Sequence, residues 1–355
     1  MTDLAVARRF YEAAVRAARS AGHGDHVPEV LVRLGLPGLA QRLDPEAAPA
    51  DPAARRLHQL YDTLAAEEAR RVGGALEAAG VEHFFAKGIA LLGTHYRPGD
   101  RVISDLDLYV PGAARQAAVD RLAALGYAPL ADADQSGPPA LRSSLALTRA
   151  AGVEPEEFAV DLHWAVDPVR RLLPRGDRPI PARFWRGAGR RDGLLVPAPE
   201  HHAALLVHHL VHTDLAHVRG LLDLALLFAD LPADAGVEYR AATEELGVGE
   251  FARAAAGLMS RDLGVHRPAA GEGHSLALDE WLARVARTDP DDDALITRRR
   301  IVTRIQVLGW RAAPALLADV VAPPAAFLAW RWPGRSVGGA LARHYGQILK
   351  KALRP

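Results

Sequence analysis

Arg101-Val102-Ile103-Ser104-Asp105-Leu106-Asp107-Leu108-Tyr109-Val110 is the stretch whose reading decides the fold. From Asp105 onward, acids alternate with leucines, and Pro111-Gly112 stops the run, which predicts a strand over 105–110. Alternate side chains of a strand share a face, so Asp105 and Asp107 point one way while Leu106 and Leu108 point the other. Two carboxylates on one face repel unless a cation neutralises them, and hard oxygen ligands at this spacing suit Mg²⁺ or Mn²⁺. Taken alone, the Asp-x-Asp also reads as a solvated strand end with two acids on its wet face.

Working outward, strand and helix alternate on both sides. Val81 to Ala86 reads as a strand, Ile89 to His95 as a helix and Arg97 to Ser104 as a loop. Downstream, 113–125 reads as a helix that leads into a strand near Tyr127 to Leu130. A turn-rich loop follows over 132–139, and 141–149 with 157–166 reads as a hairpin. This α/β core is expected over 81–197, its last thirty residues or so being a Pro/Arg/Gly-rich connector. Residues 1–80 are expected as an N-terminal helical region, with helices at 4–20 and 53–79 around a proline-punctuated stretch of short helices and turns. Residues 198–355 are expected as a helical domain, with helices at 199–213, 216–230, 238–246, 249–264, 276–287 and 291–309 and further pieces to 351.

Other chemistry-bearing residues gather around the two acids. Lys87-Gly88 falls where the first strand gives way to a helix, and a glycine there lets backbone N–H groups approach phosphate oxygens, with the lysine adding a point charge. Basic residues are written as arginine throughout this chain except at Lys87, Lys350 and Lys351, so Lys87 is conspicuous; a snorkelling surface lysine is its bland reading. Arg101 and Ser104, in the loop before Asp105, are candidates for the same phosphates. In Val160-Asp161-Leu162-His163-Trp164, Asp161 and His163 share one strand face. A third carboxylate there would complete a site for two metal ions. His163 reads equally as a hydrogen-bonded structural histidine.

Gly88, Asp105, Asp107 and Asp161, in that order and context, resemble the nucleotidyltransferase superfamily that includes DNA polymerase beta and the aminoglycoside nucleotidyltransferases. More closely, Lys87-Gly88, Asp105-Leu106-Asp107-Leu108 and Asp161-Leu162-His163-Trp164 are similar to a bacterial branch of uncharacterised nucleotidyltransferases. The segment from Leu206 to Leu226, with His209, His212, Arg219 and Asp223, looks like that branch as well. The resemblance runs over roughly 80–230, leaving the N-terminal helices and the last hundred residues outside it. It implies an α/β (α+β) nucleotidyltransferase core with a mixed sheet and flanking helices, and transfer of an NMP from an NTP to an acceptor with release of pyrophosphate. Asp105, Asp107 and Asp161 would then be catalytic and hold Mg²⁺ (or Mn²⁺), and Asp161 would help deprotonate the acceptor. Lys87 and Gly88, with Arg101 and Ser104, would bind the nucleotide phosphates, and His163, His209, His212, Arg219 and Asp223 would line the cleft. The broad superfamily has Gly-Ser or Gly-Gly where this chain has Lys87-Gly88, and the interval from Gly88 to Asp105 is long, so its phosphate contacts need not be the same.

Composition narrows the acceptor. The 355 residues carry 43 basic and 43 acidic side chains, a net charge of zero, which disfavours nucleic acid apart from a tRNA end and favours a small molecule, peptide or protein. With no cysteine there is no disulfide framework, thiolate metal site or thiol nucleophile. The first residues lack a secretory pattern. The most apolar stretch, Ala312 to Trp330, carries Asp319 and is broken by Pro314, Pro323 and Pro324, so a cytoplasmic protein without a membrane span is expected. The run Arg298-Arg299-Arg300 with Arg304 invites a nucleic-acid reading that the aspartates at 289 and 291–293 offset.

Two other classes of function stay open. One is a non-catalytic nucleotide-binding module of the same fold that docks a partner through its helical half. The other is a metal-dependent hydrolase on the histidine-rich helix, with His208 and His212 four residues apart and Asp214 or Asp223 as an oxygen ligand. Arg219 and Asp223, one turn apart, also have the spacing of an ordinary helical ion pair.

Overall fold

A computed structural model describes residues 4–20, 36–43, 52–131, 138, 141–150, 157–169, 178–212, 218–232, 234–265, 304–305, 307–308 and 310–352. Its elements are α1 (Leu4–Ser20), α2 (Pro37–Leu43), α3 (Pro52–Ala78), β1 (Phe84–Ala86), α4 (Lys87–Leu91), β2 (Leu106–Tyr109), α5 (Arg115–Ala124), β3 (Ala128–Pro129), β4 (Ser144–Ala150) and β5 (Glu157–His163). There follow α6 (Ala182–Arg186), β6 (Gly189–Arg191), β7 (Leu194–Val196), α7 (Pro199–His212), α8 (Val218–Asp230), α9 (Gly236–Leu246), α10 (Gly249–Leu263), α11 (Ala313–Val321), α12 (Ala325–Arg331) and α13 (Val337–Ala352). The expected helices at 276–287 and over most of 291–309 lie outside the described residues, as does most of the loop 132–139.

Five strands form a mixed sheet in the order β1-β2-β5-β4-β3. Only the β2–β5 pairing is parallel; β1 on β2, β4 on β5 and β3 on β4 run antiparallel. The period-2 alternation sorts side chains between two cores. Phe85, Leu106, Leu108, Val160 and Leu162 face one core, whereas Phe84, Ala86 and Tyr109 join the other. The first face is covered by α3, whose Tyr61, Ala65, Ala69, Val72 and Leu76 recur at helical spacing, and by Ala118 and Leu122 of α5. Tyr61 stacks on Phe158 with ring centroids 5.8 Å apart.

The second core is helical. Ala203 to Val207 of α7 are all buried, and they pack with α8, α9, α10 and the Val6, Phe10, Ala13 and Ala14 stripe of α1. Phe84 and Tyr109 bring the sheet into this same cluster. Helix α1 and helices α7 to α10 are thus joined through one apolar interior. A small separate cluster of Leu328, Trp332 and Ala340 holds α12 against α13.

Several expected elements change length. The first strand begins at Phe84 because its pairing ends where Phe84 meets Tyr109. The helix expected to reach His95 ends at Leu91, and Gly93 turns the chain with φ +85°. The segment read as a connector contains α6 and a β6–β7 hairpin. Asp192 and Gly193, with φ of 48° and 82°, form its two-residue turn, the conformation that an Asp-Gly pair favours. Arg298 to Arg300 lie outside the described residues, but Arg304 is buried and donates to the carbonyls of Val169 (3.1 Å) and Val211 (3.4 Å), a structural role. No helix among the described residues is long and apolar enough to cross a membrane.

Candidate active site

Parallel pairing of β2 with β5 sets Asp107 opposite Asp161 and Tyr109 opposite His163. All four side chains share one face, and Asp105, just before β2, follows the same alternation. One carboxylate oxygen of Asp107, Oδ1, lies 2.5 Å from Lys87 Nζ and 3.2 Å from His163 Nε2. His163 Nε2 is also 3.0 Å from Asp161 Oδ2. The ligand atoms of Asp107, Asp161 and His163 all lie within 4.8 Å of one another, a group able to hold a metal ion. Asp105 stands outside that group and accepts a hydrogen bond from Ser104 Oγ at 2.8 Å.

Electrostatics follows from this packing. Burial opposes a charge on Asp107, but Lys87 and His163 outweigh it and hold the carboxyl below its ordinary value. Asp161 is likewise penalised by burial and more than compensated by His163 and Lys87. Asp105 moves the other way, pushed up first by the charge of Asp107 and then by burial. His163 resists burial through Asp161 and Asp107 and is raised to about 9. Lys87 is also raised, its burial overcome chiefly by Asp107.

Side chains around these groups fix their positions. His163 stacks on Tyr109 at 4.5 Å, Tyr109 on Phe84 at 5.1 Å, and Phe84 meets Trp185 of α6 at 4.7 Å. Lys87, at the strand-to-helix turn, adopts φ +55°, which is unusual for a side-chain-bearing residue. Its backbone N–H donates to Nε2 of the buried His202 on α7 at 2.8 Å. Burial pulls His202 down to about 3, so it stays a neutral acceptor at that nitrogen.

Gly88 is needed for packing against Arg101. A Cβ there would fall 2.1 Å from Arg101 Nη1. Arg101 does not extend into solvent: it is buried, with Nε and Nη2 donating to the two carboxylate oxygens of Asp223 at 3.0 and 2.8 Å. Tyr96 donates to the same carboxylate at 2.8 Å. Arg219 Nη1 donates to the Val102 carbonyl at 3.1 Å, so α8 grips the loop that delivers Asp105. From the opposite side, Asp62 of α3 accepts the Gly99 N–H at 2.7 Å and the Ile103 N–H at 3.4 Å; burial pushes its carboxyl up to about 6. Arg42 of α2 pairs with Asp100 of the same loop.

Lys87, Asp105, Asp107, Asp161 and His163 are therefore brought together, with Gly88, Arg101 and Ser104 beside them. Arg219 and Asp223 hold the loop. On the histidine-rich helix, His208 Nε2 lies 2.9 Å from the Asp167 carbonyl, and among the described residues neither His208 nor His209 enters a three-ligand cluster. The His212 side chain and Asp214 lie outside the described residues. Sequence reasoning missed Tyr96 and the Tyr109–Phe84–Trp185 stack, whose signals are buried aromatics, features shared with any core.

The chain matches a protein family described as uncharacterised nucleotidyltransferases over residues 12–264. The match begins within α1, so the narrower extent expected from the motifs is corrected. Within that range α1 packs into one of the two cores and α3 into the other. No curated protein is similar enough in sequence to match.

Proposed function

Because the chain belongs to the uncharacterised nucleotidyltransferases, we propose that it moves a nucleoside monophosphate from an NTP to a hydroxyl or other nucleophile of an acceptor, releasing pyrophosphate. The observation that carries this reading is the juxtaposition of Asp107, Asp161 and His163 on neighbouring parallel strands with Asp105 beside them. Two carboxylates and an imidazole suit a divalent cation, Mg²⁺ or Mn²⁺. When bound, such an ion neutralises phosphate charge and polarises the reacting phosphorus–oxygen bonds.

The chain's own residues do the positioning. Of the three clustered groups Asp107 is the least exposed, 5% at its side chain, and Asp161 the most, at 28%. On this reading Asp161 takes the acceptor's proton as the new oxygen–phosphorus bond forms and the bond to pyrophosphate breaks, a role its greater exposure supports. Asp105 completes the acidic face. Lys87 contributes its positive charge next to Asp107, and the turn at Lys87-Gly88 with Ser104 borders the space in which phosphates would lie. Arg101, Arg219 and Asp223 act through the loop they hold. His209 and His212, on the helical wall, are proposed to face the cleft.

Zero net charge supports a small molecule, peptide or protein as acceptor, with the protein drawing on the cytoplasmic NTP pool. Pyrophosphate release from each NTP in the presence of cell extract and Mg²⁺ or Mn²⁺ tests the reaction, with mass spectrometry of the labelled products to identify base and acceptor. Asp105→Asn and Asp107→Asn should each abolish turnover; metal-dependent NTP binding and turnover that survive both changes would overturn the proposal. One observation favours a second reading. Asp107 is already paired with Lys87 and His163, a satisfied arrangement expected of a nucleotide-binding module without turnover. NTP binding without pyrophosphate release under any of these conditions would support it.

A further inference from the structure

The function proposed above needs a divalent ion at the Asp107–Asp161 face, and on that reading we propose that His163 is a direct ligand of it, so that the site prefers Mn²⁺ to Mg²⁺. The argument begins with separations. Two ligands about 2.1 Å from an ion and at right angles to each other stand about 3.0 Å apart. His163 Nε2 lies 3.0 Å from Asp161 Oδ2 and 3.2 Å from Asp107 Oδ1, the spacing of neighbouring corners of one octahedron. The same distances let a protonated His163 bridge both carboxylates before an ion binds, and the ion would then take the place of that proton.

The imidazole is also held in place. Its ring lies on Tyr109 with centroids 4.5 Å apart and planes 17° from parallel, and Tyr109 is itself stacked on Phe84. Backbone register fixes the same relation, since Tyr109 and His163 are paired across the parallel strands as Asp107 and Asp161 are. Presenting Nε2 to an ion would therefore cost little reorganisation. The nitrogen bears on the identity of the ion. Mg²⁺ favours oxygen and retains its waters, whereas first-row transition ions accept imidazole, and Mn²⁺ shares with Mg²⁺ the tolerance for carboxylates and six-coordination. Asp105, outside the three-ligand cluster and bonded to Ser104, would offer an oxygen-only contact to a second ion or to substrate.

Electron spin-echo spectroscopy of Mn²⁺ added to the full-length protein gives a readout independent of turnover. The expected result is modulation from one directly bonded ¹⁴N, absent in His163→Gln, whose amide offers oxygen in place of nitrogen. In parallel calorimetry, Mn²⁺ should bind about tenfold more tightly than Mg²⁺ to the wild type, and the ratio should fall towards unity in His163→Gln. Mn²⁺ binding that requires Asp107 but shows no nitrogen coupling overturns this inference and leaves the nucleotidyltransferase reading standing. Failure of the wild type to bind either ion, with or without NTP, overturns both. The wild-type spectrum decides the point even if the variant fails to fold.

Discussion

Lys87 and Gly88 divide two tasks at one turn. Lys87 accepts a left-handed backbone so that its Nζ reaches Asp107, and the N–H freed by that conformation is taken up by His202. Replacing His202 by Leu leaves a buried donor without its acceptor, at a cost of about 1–3 kcal/mol. His202→Gln, which keeps an acceptor near the same place, should recover part of that loss in urea denaturation, and equal destabilisation by the two variants would show that His202 is only filling space. Gly88→Ala meets Arg101 Nη1 head on, and Arg101 is itself held by Asp223. Overpacking of this kind costs about 1–3 kcal/mol. The expected outcome is a lowered denaturation midpoint, relieved when Arg101→Ala is added, a double-mutant cycle that isolates the contact.

Among the elements, α3 carries a buried polar anchor. Its Glu68 accepts hydrogen bonds from Arg71 (2.8 and 2.6 Å), from Tyr127 at the sheet edge (2.6 Å) and from Arg149 of β4 (3.1 Å). Burial would raise its carboxyl, but these partners outweigh burial and lower it from 4.5. A carboxylate depressed by folding contributes stability that is fully present above the unfolded value and disappears as pH falls through the folded one. Wild-type melting temperature should therefore drop between pH 5 and acid, and Glu68→Gln should be less stable at pH 7 by about 1–3 kcal/mol, with a shallower acid decline. Identical pH profiles for the two proteins would refute the assignment.

The elements also separate what the sequence makes legible from what it hides. β2 and β5 are readable because alternation, an acid pair and a proline-glycine stop are all local. The β6–β7 hairpin had a local sign too, Asp192-Gly193, but its arginine-rich strand β6 is exposed and lacks an apolar rhythm. At the site, the identity of the acids was readable, whereas the burial of Arg101 on Asp223 depends on α8 arriving from more than a hundred residues away. No local pattern encodes that meeting. The same holds for His202 and Lys87, which are 115 residues apart in the chain.

At the scale of the whole molecule, the face that bears the carboxylates is also the face on which the two ends of the matched region converge. Phe84, Ala86 and Tyr109 share one buried cluster with Phe10 of α1 and with α7 to α10, while Asp62 and Asp223 grip the 97–104 loop from opposite sides. Loosening α1 should therefore be felt at the site, although α1 contributes none of the Lys87, Asp105, Asp107, Asp161 and His163 group. Phe10 is 1% exposed, and Phe10→Ala should cost about 3–5 kcal/mol through lost burial and the cavity left behind. If the cluster transmits strain, the aromatic signal of Trp185 near the site, read as the difference from Trp185→Phe, and the far-ultraviolet helix signal should fall together in one urea transition, for the wild type and, at a lower midpoint, for the variant. A variant that loses helix signal first while the aromatic signal persists would show that the sheet with its carboxylates holds its shape without the helical half, and the argument that the helices set the site would fail.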